Sequence, residues 1–460
     1  MLHSARIDLL ARYPALRKVL TSRLFQPVLM LATLGVFTLA VLAGFFGTPA
    51  GSRNFGIIFV WIVWWALLII ALVPMFGRLW CTVCPIPAPG EWLQRRGIVR
   101  RPNGSLLTRG LRWPRRLKNM WLQNFGFLGV AVFSAVILTR PAVSAWVLLG
   151  FVVAGVALSL LYERRVFCKY VCPVGGFIGL YSLVAPTALR VVDPAVCAAH
   201  TTKDCVTGNE RGYGCPWMAY PGNLTRNIDC GLCTECLKTC PKNNITIQLR
   251  PAGEDLLVEK GRRLDEAYKG FIMLGCALLY SAVLLGPWGG VKQWASMASL
   301  PHWALYAATF LAFNLLVLPG LFWLVVWAAR RLSGHAVTQR RAFISYAYAL
   351  VPMGLAAWIA FSLSFVLSNG SYALAVLSDP FGWGWNLFGT AGVAWSPLLP
   401  PGWVAFLQAG VLTAGLLFAA RTTVQIARQT DGTARALRAA VPVAGFLLAT
   451  TLAFMRLYLG

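Results

Sequence analysis

The run "CGLCTECLKTCP" at residues 230–241 places four cysteines where they can hold an inorganic cluster. Its spacing, C-x2-C-x2-C-x3-C followed by proline, is the one by which bacterial ferredoxins ligate 4Fe-4S clusters. In that pattern the first three cysteines surround one cluster and the fourth, Cys240, ligates a neighbouring cluster. A structural zinc site uses two ligand pairs a dozen or more residues apart, which this run does not supply. The spacing therefore predicts 4Fe-4S clusters rather than zinc.

Three cysteines upstream of this run are candidates for the remaining ligands. Cys215 is followed by a proline, the mark of a ligand that crosses to a neighbouring cluster. We expect Cys215 to complete one cluster together with the first three cysteines of the run, which are Cys230, Cys233 and Cys236. The second cluster would take the cysteines that remain, which are Cys197, Cys205 and Cys240. It is one ligand short, and His200 and Asp204 are the nearby candidates. The alternative assigns all four cysteines of the run to one cluster.

Two further cysteine pairs occur in a repeated context behind apolar segments. "RLWCTVCP" begins at residue 78 and "RRVFCKYVCP" at residue 164, and their Cys-Pro steps are 88 residues apart. Each has an arginine and an aromatic residue before its first cysteine. Packing of the preceding helices against each other would bring four thiolates to one point, the number that a cubane requires. We therefore expect a third cluster at the membrane surface, held by Cys81, Cys84, Cys168 and Cys172. If the two pairs are unrelated, two clusters remain.

The elements that must position these cysteines are membrane helices. Of the 460 residues, 58% are apolar and 12% are charged, and the apolar residues form long uncharged runs. The runs predict nine spanning helices, the fifth and ninth being the shortest: 27–47, 56–76, 120–139, 142–162, 270–286, 303–328, 342–367, 403–420 and 441–458. The predicted fold is an all-α polytopic membrane protein with an inserted small α+β ferredoxin-like domain. Its predicted domains are 1–186, 187–262 and 263–460.

The distribution of basic residues predicts the orientation in the membrane. The chain has 41 lysines and arginines against 15 acidic residues, and they alternate by connection rather than forming a nucleic-acid-binding face. Without the long fourth connection, alternate sides carry 23 and 4 of them. The N-terminus and the cysteine-rich domain are therefore predicted to be cytoplasmic and the C-terminus outside, in a prokaryotic cytoplasmic membrane, with the first helix as a signal anchor. The basic run 95–118 is expected to contact anionic lipid headgroups.

The remaining cysteine and the histidines indicate no other metal centre. The cytoplasmic side is reducing, which favours metal ligation over disulfides for the clustered cysteines. Cys276 stands alone inside the fifth predicted helix and is interpreted as a small core residue. Haem is not expected, because C-x-x-C-H is absent and no facing pair is available among the four histidines, which are His3, His200, His302 and His335.

An outer connection at 368–402 contains the one acidic residue that this topology places outside, Asp379. It lies among Trp383, Trp385 and Phe388, and aromatic residues at this level usually form an interfacial belt. The sharper hypothesis is that the connection frames a quinone pocket or a partner's docking surface. Asp379 would then accept a proton as quinol is oxidised.

With "CTVCP", "CKYVCPVGGFIGLYS" and "CGLCTECLKTCP" in one polytopic chain, the sequence resembles the membrane-bound polyferredoxins that include the NapH, NosR and CcoG (RdxA) types. The likeness covers about residues 56–250. It implies that the cysteines of these motifs are 4Fe-4S ligands, and that electrons pass between the quinone pool or cytoplasmic donors and respiratory or metal-handling partners. The first motif departs from the family's usual C-x3-C-P, and residues 270–460 have no counterpart assignable by motif.

These observations predict a membrane electron-transfer protein that relays electrons through cytoplasmic-side 4Fe-4S clusters, to or from the quinone pool and a redox partner protein. It would be a subunit of an oxidoreductase that oxidises quinol, or an electron carrier. One alternative is an iron-sulfur reductase that serves the maturation of a metalloenzyme such as a copper oxidase. Another is a redox sensor, although no kinase, nucleotide or DNA-reading motif accompanies the cysteines.

Overall fold

The computed structural model describes residues 6–99, 106–285, 289–334 and 337–459. His3, His335 and residues 100–105 of the basic run lie outside these ranges. Within them, eight helices are long and apolar enough to cross a hydrocarbon core of about 30 Å. They are Phe25–Phe46, Phe55–Phe76, Pro141–Leu161, Leu264–Leu285, Leu300–Ser333, Gln339–Asn369, Pro401–Asp431 and Ala436–Leu459. The predicted polytopic helical architecture is confirmed, and the short fifth and ninth predicted spans are full-length helices.

Eight of the nine predicted spanning segments are long helices in the described residues, and the difference lies at 120–139. This segment forms two shorter helices, Trp121–Val132 and Ser134–Ile137, separated at Phe133. Twelve residues rise only about 18 Å. The Thr139 hydroxyl donates to the Ala135 carbonyl at 2.7 Å, so side chains satisfy carbonyls where the helix ends. An apolar run reports hydrophobicity and does not reveal such a break.

The described chain forms two compact units. The first consists of residues up to 38, 71–123 and 148–255, and the second of 39–70, 124–147 and 256–459. All eleven clustered cysteines belong to the first unit. The domain boundaries at 186 and 262 remain predictions.

Two paired strands of a small antiparallel sheet in the first unit flank the cysteine-rich segment in sequence. Its strands are β1 (Ile7–Asp8), β2 (Thr187–Val191) and β3 (Ile245–Leu249), in the order β1-β3-β2. β2 and β3 pair from Thr187 opposite Leu249 to Val191 opposite Ile245. The Val192 amide then donates to the Asn244 carbonyl at 3.0 Å. The chain between these two strands therefore leaves the sheet and returns to it at the same point.

Short helices carry or follow the cysteine motifs. Those of the first unit beside the motifs are Trp80–Val83, Ala88–Arg95, the π-helical turn Phe167–Val171, Pro173–Tyr181, Pro194–Ala199, Asp204–Thr207 and Glu235–Thr239. Others are Leu9–Arg12 and Pro14–Thr21 in the first unit, and Gly289–Ala295 and Tyr372–Ser378 in the second.

The second unit packs its helices through aromatic rings and one buried acid. The ring of Phe271 lies 5.3 Å, centroid to centroid, from the rings of both Phe322 and Phe343. Asp431 ends the helix Pro401–Asp431 and accepts a hydrogen bond of 2.7 Å from the Tyr346 hydroxyl. These contacts join four of the long helices: Leu264–Leu285, Leu300–Ser333, Gln339–Asn369 and Pro401–Asp431.

Candidate metal centre

The two helix-end motifs turn the chain in different ways. Before the first motif, the helix ends at Gly77, whose φ of +60° favours glycine. A Cβ there would also lie 3.1 Å from the Ser182 side chain. In the second motif, Cys172 precedes the helix Pro173–Tyr181, and its Sγ accepts a hydrogen bond from the Gly175 amide at 3.3 Å. In each motif a short helix ends at the cysteine of the Cys-Pro step, which is Cys84 in the first motif and Cys172 in the second.

A buried ion pair fixes one motif against the other. Arg165, three residues before Cys168, donates from Nη1 to the Cys81 carbonyl at 2.8 Å and from Nε to Glu91 at 2.9 Å. The Arg165 and Glu91 side chains are 3% and 6% exposed. Arg95 also pairs with Glu91. Because its head group is rigid and forked, Arg165 can bind the backbone of one cysteine motif and the carboxylate that follows it simultaneously.

The four helix-end cysteines lie within range of each other's charges. Burial raises the pKa of Cys168 well above its usual value, and the charges of Cys172, Cys84 and Cys81 raise it further while Arg165 lowers it. Burial also raises the pKa of Cys84, again with Cys81 and Cys172 contributing. The pKa of Cys172 is raised to about 11 by burial, opposed by the Gly175 amide and Arg78. Such thiols would become ligands by releasing their proton to solvent or a base and binding the metal centre as thiolates.

The loop of the ferredoxin-type run contacts the first helix-end motif directly. Leu232 and Thr234 both have positive φ, of 51° and 60°, which is uncommon for residues with a side chain. The Thr82 hydroxyl, between Cys81 and Cys84 in sequence, lies 3.1 Å from the Gly231 carbonyl and 2.9 Å from the Leu232 carbonyl. The loop is therefore held in its unusual conformation by the neighbouring motif.

Cys215 lies with the first three cysteines of the run. Burial raises the pKa of Cys236 well above its usual value, and the charges of Cys233, Cys230 and Cys215 act in the same direction. The charge of Cys215 also raises the pKa of Cys233 and that of Cys230, in addition to the effect of burial. Backbone amides point at two of these sulfurs, from Leu232 to Cys230 and from Ala219 to Cys215, both at 3.4 Å. This neighbourhood supports the assignment of Cys215 to the first ferredoxin-type cluster, which remains a prediction.

The other three cysteines form a second neighbourhood. Burial raises the pKa of Cys205 to about 11, with the charges of Cys240 and Cys197 as the next causes. Asn244 contacts both Cys240 and Cys197. Its backbone amide donates to Cys240 Sγ at 3.4 Å, and its side-chain amide donates to Cys197 Sγ at 3.3 Å. Asn244, just before β3, thus holds two of these three sulfurs, those of Cys197 and Cys240, close together.

The structure gives the two candidates for the missing fourth ligand partners of their own. His200 Nε2 lies 3.8 Å from the Asp204 carboxylate and 3.0 Å from the Thr202 hydroxyl. Both His200 and Asp204 therefore have ordinary loop contacts. The fourth ligand of the second ferredoxin-type cluster remains a prediction.

The spacing of the donors bears on whether they hold a cluster or a single ion. In the described ranges, no three histidine, cysteine or acidic side chains are arranged to hold one metal ion. Thiolates around a tetrahedral zinc would be about 3.8 Å apart, from Zn–S bonds of about 2.3 Å. A cubane instead places each thiolate on a different iron, so its ligands stand further apart.

Unsatisfied donors lie beside the cysteines. Arg78 Nε and Nη2 and Trp217 Nε1 are buried and have no acceptor among the described residues. Buried N–H groups without an acceptor are rare in native proteins and call for an explanation. The sulfurs of a bound cluster would supply the missing acceptors, and the residues present therefore fit 4Fe-4S clusters.

Sequence reasoning missed several residues that build this site. Arg78 and Arg165 are not among the missed residues, because the repeated motif shows an arginine before the first cysteine in both copies. Glu91, Thr82 and Trp217 gave no comparable signal, because their roles depend on contacts with residues distant in sequence. Cys276 belongs to the second unit, where it is fully buried and its thiol lies 3.7 Å from the Asn314 side-chain oxygen.

Asp379 has a structural role in its loop. Its carboxylate accepts hydrogen bonds from the Trp383 amide at 3.0 Å and the Gly384 amide at 2.7 Å. The Trp383 ring stacks on Phe381 with centroids 4.4 Å apart, and its Nε1 donates to the Phe46 carbonyl at 3.2 Å. These contacts hold the aromatic loop together, and the proton-acceptor role of Asp379 remains a prediction.

Comparison with known proteins identifies the class of the site. Two segments, 57–103 and 144–190, match the model of a 4Fe-4S binding domain, and each contains one helix-end motif. The chain is therefore similar to proteins that transfer electrons through 4Fe-4S clusters, and its described residues include eight helices long enough to cross a membrane. Over 140 residues it is 25% identical to the Escherichia coli K12 protein described as "Putative electron transport protein YccM". The alignment covers 30% of this chain and about a third (35%) of that relative. No solved structure matches the chain.

Proposed function

We propose that this protein relays single electrons through three 4Fe-4S clusters between the quinone pool and a redox partner protein. The observation that carries the proposal is the direct contact between the cysteine sets. Thr82 of the first helix-end motif donates a hydrogen bond to the backbone of the ferredoxin-type run. Arg165 of the second helix-end motif donates one to the backbone of the first helix-end motif. Short separations between sites are what a relay requires.

The residues around the helix-end cysteines have different roles in the proposed relay. A bound 4Fe-4S cluster supplies one-electron transfer at a potential that its surroundings set. Cys81, Cys84, Cys168 and Cys172 would hold the cluster at the helix ends, next to the membrane. The Glu91–Arg165 pair holds the two motifs together, and Cys81, Cys168 and Cys172 are buried away from water.

The lipid-soluble partner is proposed to be a quinone. Oxidation of a quinol to a quinone releases two electrons and two protons, so it needs two one-electron acceptors and proton acceptors. The Asp379 loop, with exposed Trp383, Trp385 and Phe388, is the candidate site of contact, and Asp379 the candidate base. The basic connection at 95–118 is proposed to lie on anionic lipid headgroups.

A quinol should reduce the clusters of anaerobically purified protein, or a quinone should reoxidise them after dithionite reduction, depending on their potentials. Bleaching or recovery of the visible iron-sulfur absorbance measures either direction. Asp379→Asn cannot act as a base near neutral pH, and it keeps only one of the two oxygens that accept from the loop amides. It should therefore slow the exchange with quinol. Equal rates for Asp379→Asn and wild type across pH would exclude Asp379 as the proton acceptor, and no exchange in wild type would exclude the quinone.

The contact between the motifs also bears on the membrane topology. Arg165 touches the Cys81 carbonyl, so residues 81 and 165 lie on the same side of the membrane. An even number of crossings must separate them. We infer that 121–137 crosses together with Pro141–Leu161 as a hairpin, although its helix is interrupted. Nine crossings follow, with the N-terminus and the clusters in the cytoplasm of a prokaryotic cell by the positive-inside rule.

Reporter fusions test this topology. A reporter at the C-terminus should be exported, and one in the connection at 329–341 should stay in the cytoplasm. Without the crossing at 121–137, both results would be exchanged. Alkaline phosphatase and green fluorescent protein, active on opposite sides, make the two fusions controls for each other.

A further inference from the structure

Arg78 and Trp217 form a buried contact between the helix-end motif and the ferredoxin-type segment. The Arg78 guanidinium carbon lies 4.1 Å from the centroid of the Trp217 ring. Its Nη1 donates to the Ile228 carbonyl at 2.7 Å, two residues before Cys230. Arg78 is 3% exposed and Trp217 is 1% exposed. A charge this deeply buried without a carboxylate partner is costly unless another negative group lies nearby.

Two glycines pack against this pair at positions where a larger residue would not fit. A Cβ on Gly231, next to Cys230, would lie 1.9 Å from Trp217 Nε1. A Cβ on Gly179 would lie 2.7 Å from Arg78 Nη1. Glycine at these two positions therefore lets the ring and the guanidinium approach the cysteine segments closely.

Arg78 lies beside both cysteine sets. Its Nη1 contacts the backbone two residues before Cys230 of the ferredoxin-type run. The same nitrogen lies against Gly179, in the helix Pro173–Tyr181 that follows the helix-end cysteine Cys172. The guanidinium therefore contacts the segments that carry a predicted ligand of each cluster. Its Nε and Nη2, like Trp217 Nε1, have no acceptor in the described part of the chain.

The geometry points to Arg78 and Trp217 as the junction that tunes the helix-end cluster and the first ferredoxin-type cluster together. This inference rests on the proposed function. Their N–H groups donate to cluster sulfurs, and the arginine charge stabilises the extra negative charge of each reduced cluster. Reduction adds one electron and breaks no bond, so a fixed buried cation raises both reduction potentials. Trp217 positions the guanidinium by stacking and adds its own donor.

Redox titration followed by EPR on anaerobically purified full-length protein tests the junction. Arg78→Gln removes the charge and should lower the potentials of these two clusters. We expect at least a tenfold change in each one-electron equilibrium constant, equivalent to 59 mV. The cluster of Cys197, Cys205 and Cys240 should keep its potential. Arg78→Lys keeps the charge and should restore most of the shift, and Trp217→Phe keeps the stack but loses one donor, giving a smaller shift.

The exposed Arg421 of the second unit provides the control, and Arg421→Gln should leave all three potentials unchanged. Unchanged potentials in Arg78→Gln, or equal shifts of all three, would overturn the junction. If Arg78→Gln loses iron, the test uses Arg78→Lys and Trp217→Phe instead. Wild-type reduction potentials in both of these variants, with their iron retained, would also overturn the junction. Absence of a helix-end cluster signal in wild type would instead refute the proposed function.

Discussion

Replacing Cys84 and Cys172 together by alanine should remove about four of the roughly twelve irons in anaerobically purified protein, since three clusters of four irons are expected. The two substitutions together remove one thiolate from each helix-end motif. With two thiolates left, a cubane has too few protein ligands to persist. Iron analysis and EPR should show the loss of one cluster and the survival of the two ferredoxin-type signals.

Cys276→Ala is the matched control, because Cys276 is buried in the second unit and away from the clustered cysteines in sequence. It should retain all iron. About eight irons in well-loaded wild type would favour two clusters. Disturbed ferredoxin-type signals in the double variant would mean that the helix-end cysteines ligate those clusters instead.

Glu91→Gln should destabilise the first unit strongly, by about 3–5 kcal/mol, the usual cost of removing one partner of a buried ion pair. Arg165 would keep its charge in a site where its side chain is 3% exposed. Burial acts to raise the pKa of Glu91, but Arg165 and Arg95 outweigh it and hold the pKa below its usual value. The stabilisation is therefore present above the unfolded pKa of about 4.3 and is lost as pH falls through the lower folded value. Thermal unfolding in detergent measures it.

Arg95→Gln is the matched control for Glu91→Gln, because it removes the other cation of the same carboxylate. Arg95 is 13% exposed and Arg165 still balances Glu91, so the loss should be clearly smaller. The difference between wild type and Glu91→Gln should also shrink as the pH falls below about 4. A cost below about 1 kcal/mol, typical of exposed ion pairs, would contradict the role assigned to this pair.

The sequence predicted the chemistry of the centre because cysteine spacing is a local property. The C-x2-C-x2-C-x3-C-P run and the repeated Cys-Pro steps can be read without knowledge of the fold, and the family match covers both helix-end motifs. The contacts between motifs could not be predicted. Thr82 and Leu232 are 150 residues apart in sequence, and neither residue type signals a partner.

The helix count shows a different limit. Hydropathy identified every long helix, including Leu264–Leu285 and Ala436–Leu459. It did not reveal the interruption within 121–137, where the segment is apolar but the backbone leaves the helix at Phe133. Composition measures the transfer of side chains into lipid, whereas a helix break depends on backbone angles, which composition does not determine.

The closure of the cysteine-rich segment by β2 and β3 has a consequence for the order of synthesis. Both strands, and every candidate cysteine ligand between residues 81 and 240, precede residue 255, where the first unit ends. A ribosome that has passed this point has already delivered all the thiols that iron-sulfur assembly machinery would need. The last five long helices, from Leu264–Leu285 to Ala436–Leu459, are still to be made. Cluster insertion can therefore begin while the nascent chain is attached to the ribosome and the C-terminal half of the protein is entering the membrane.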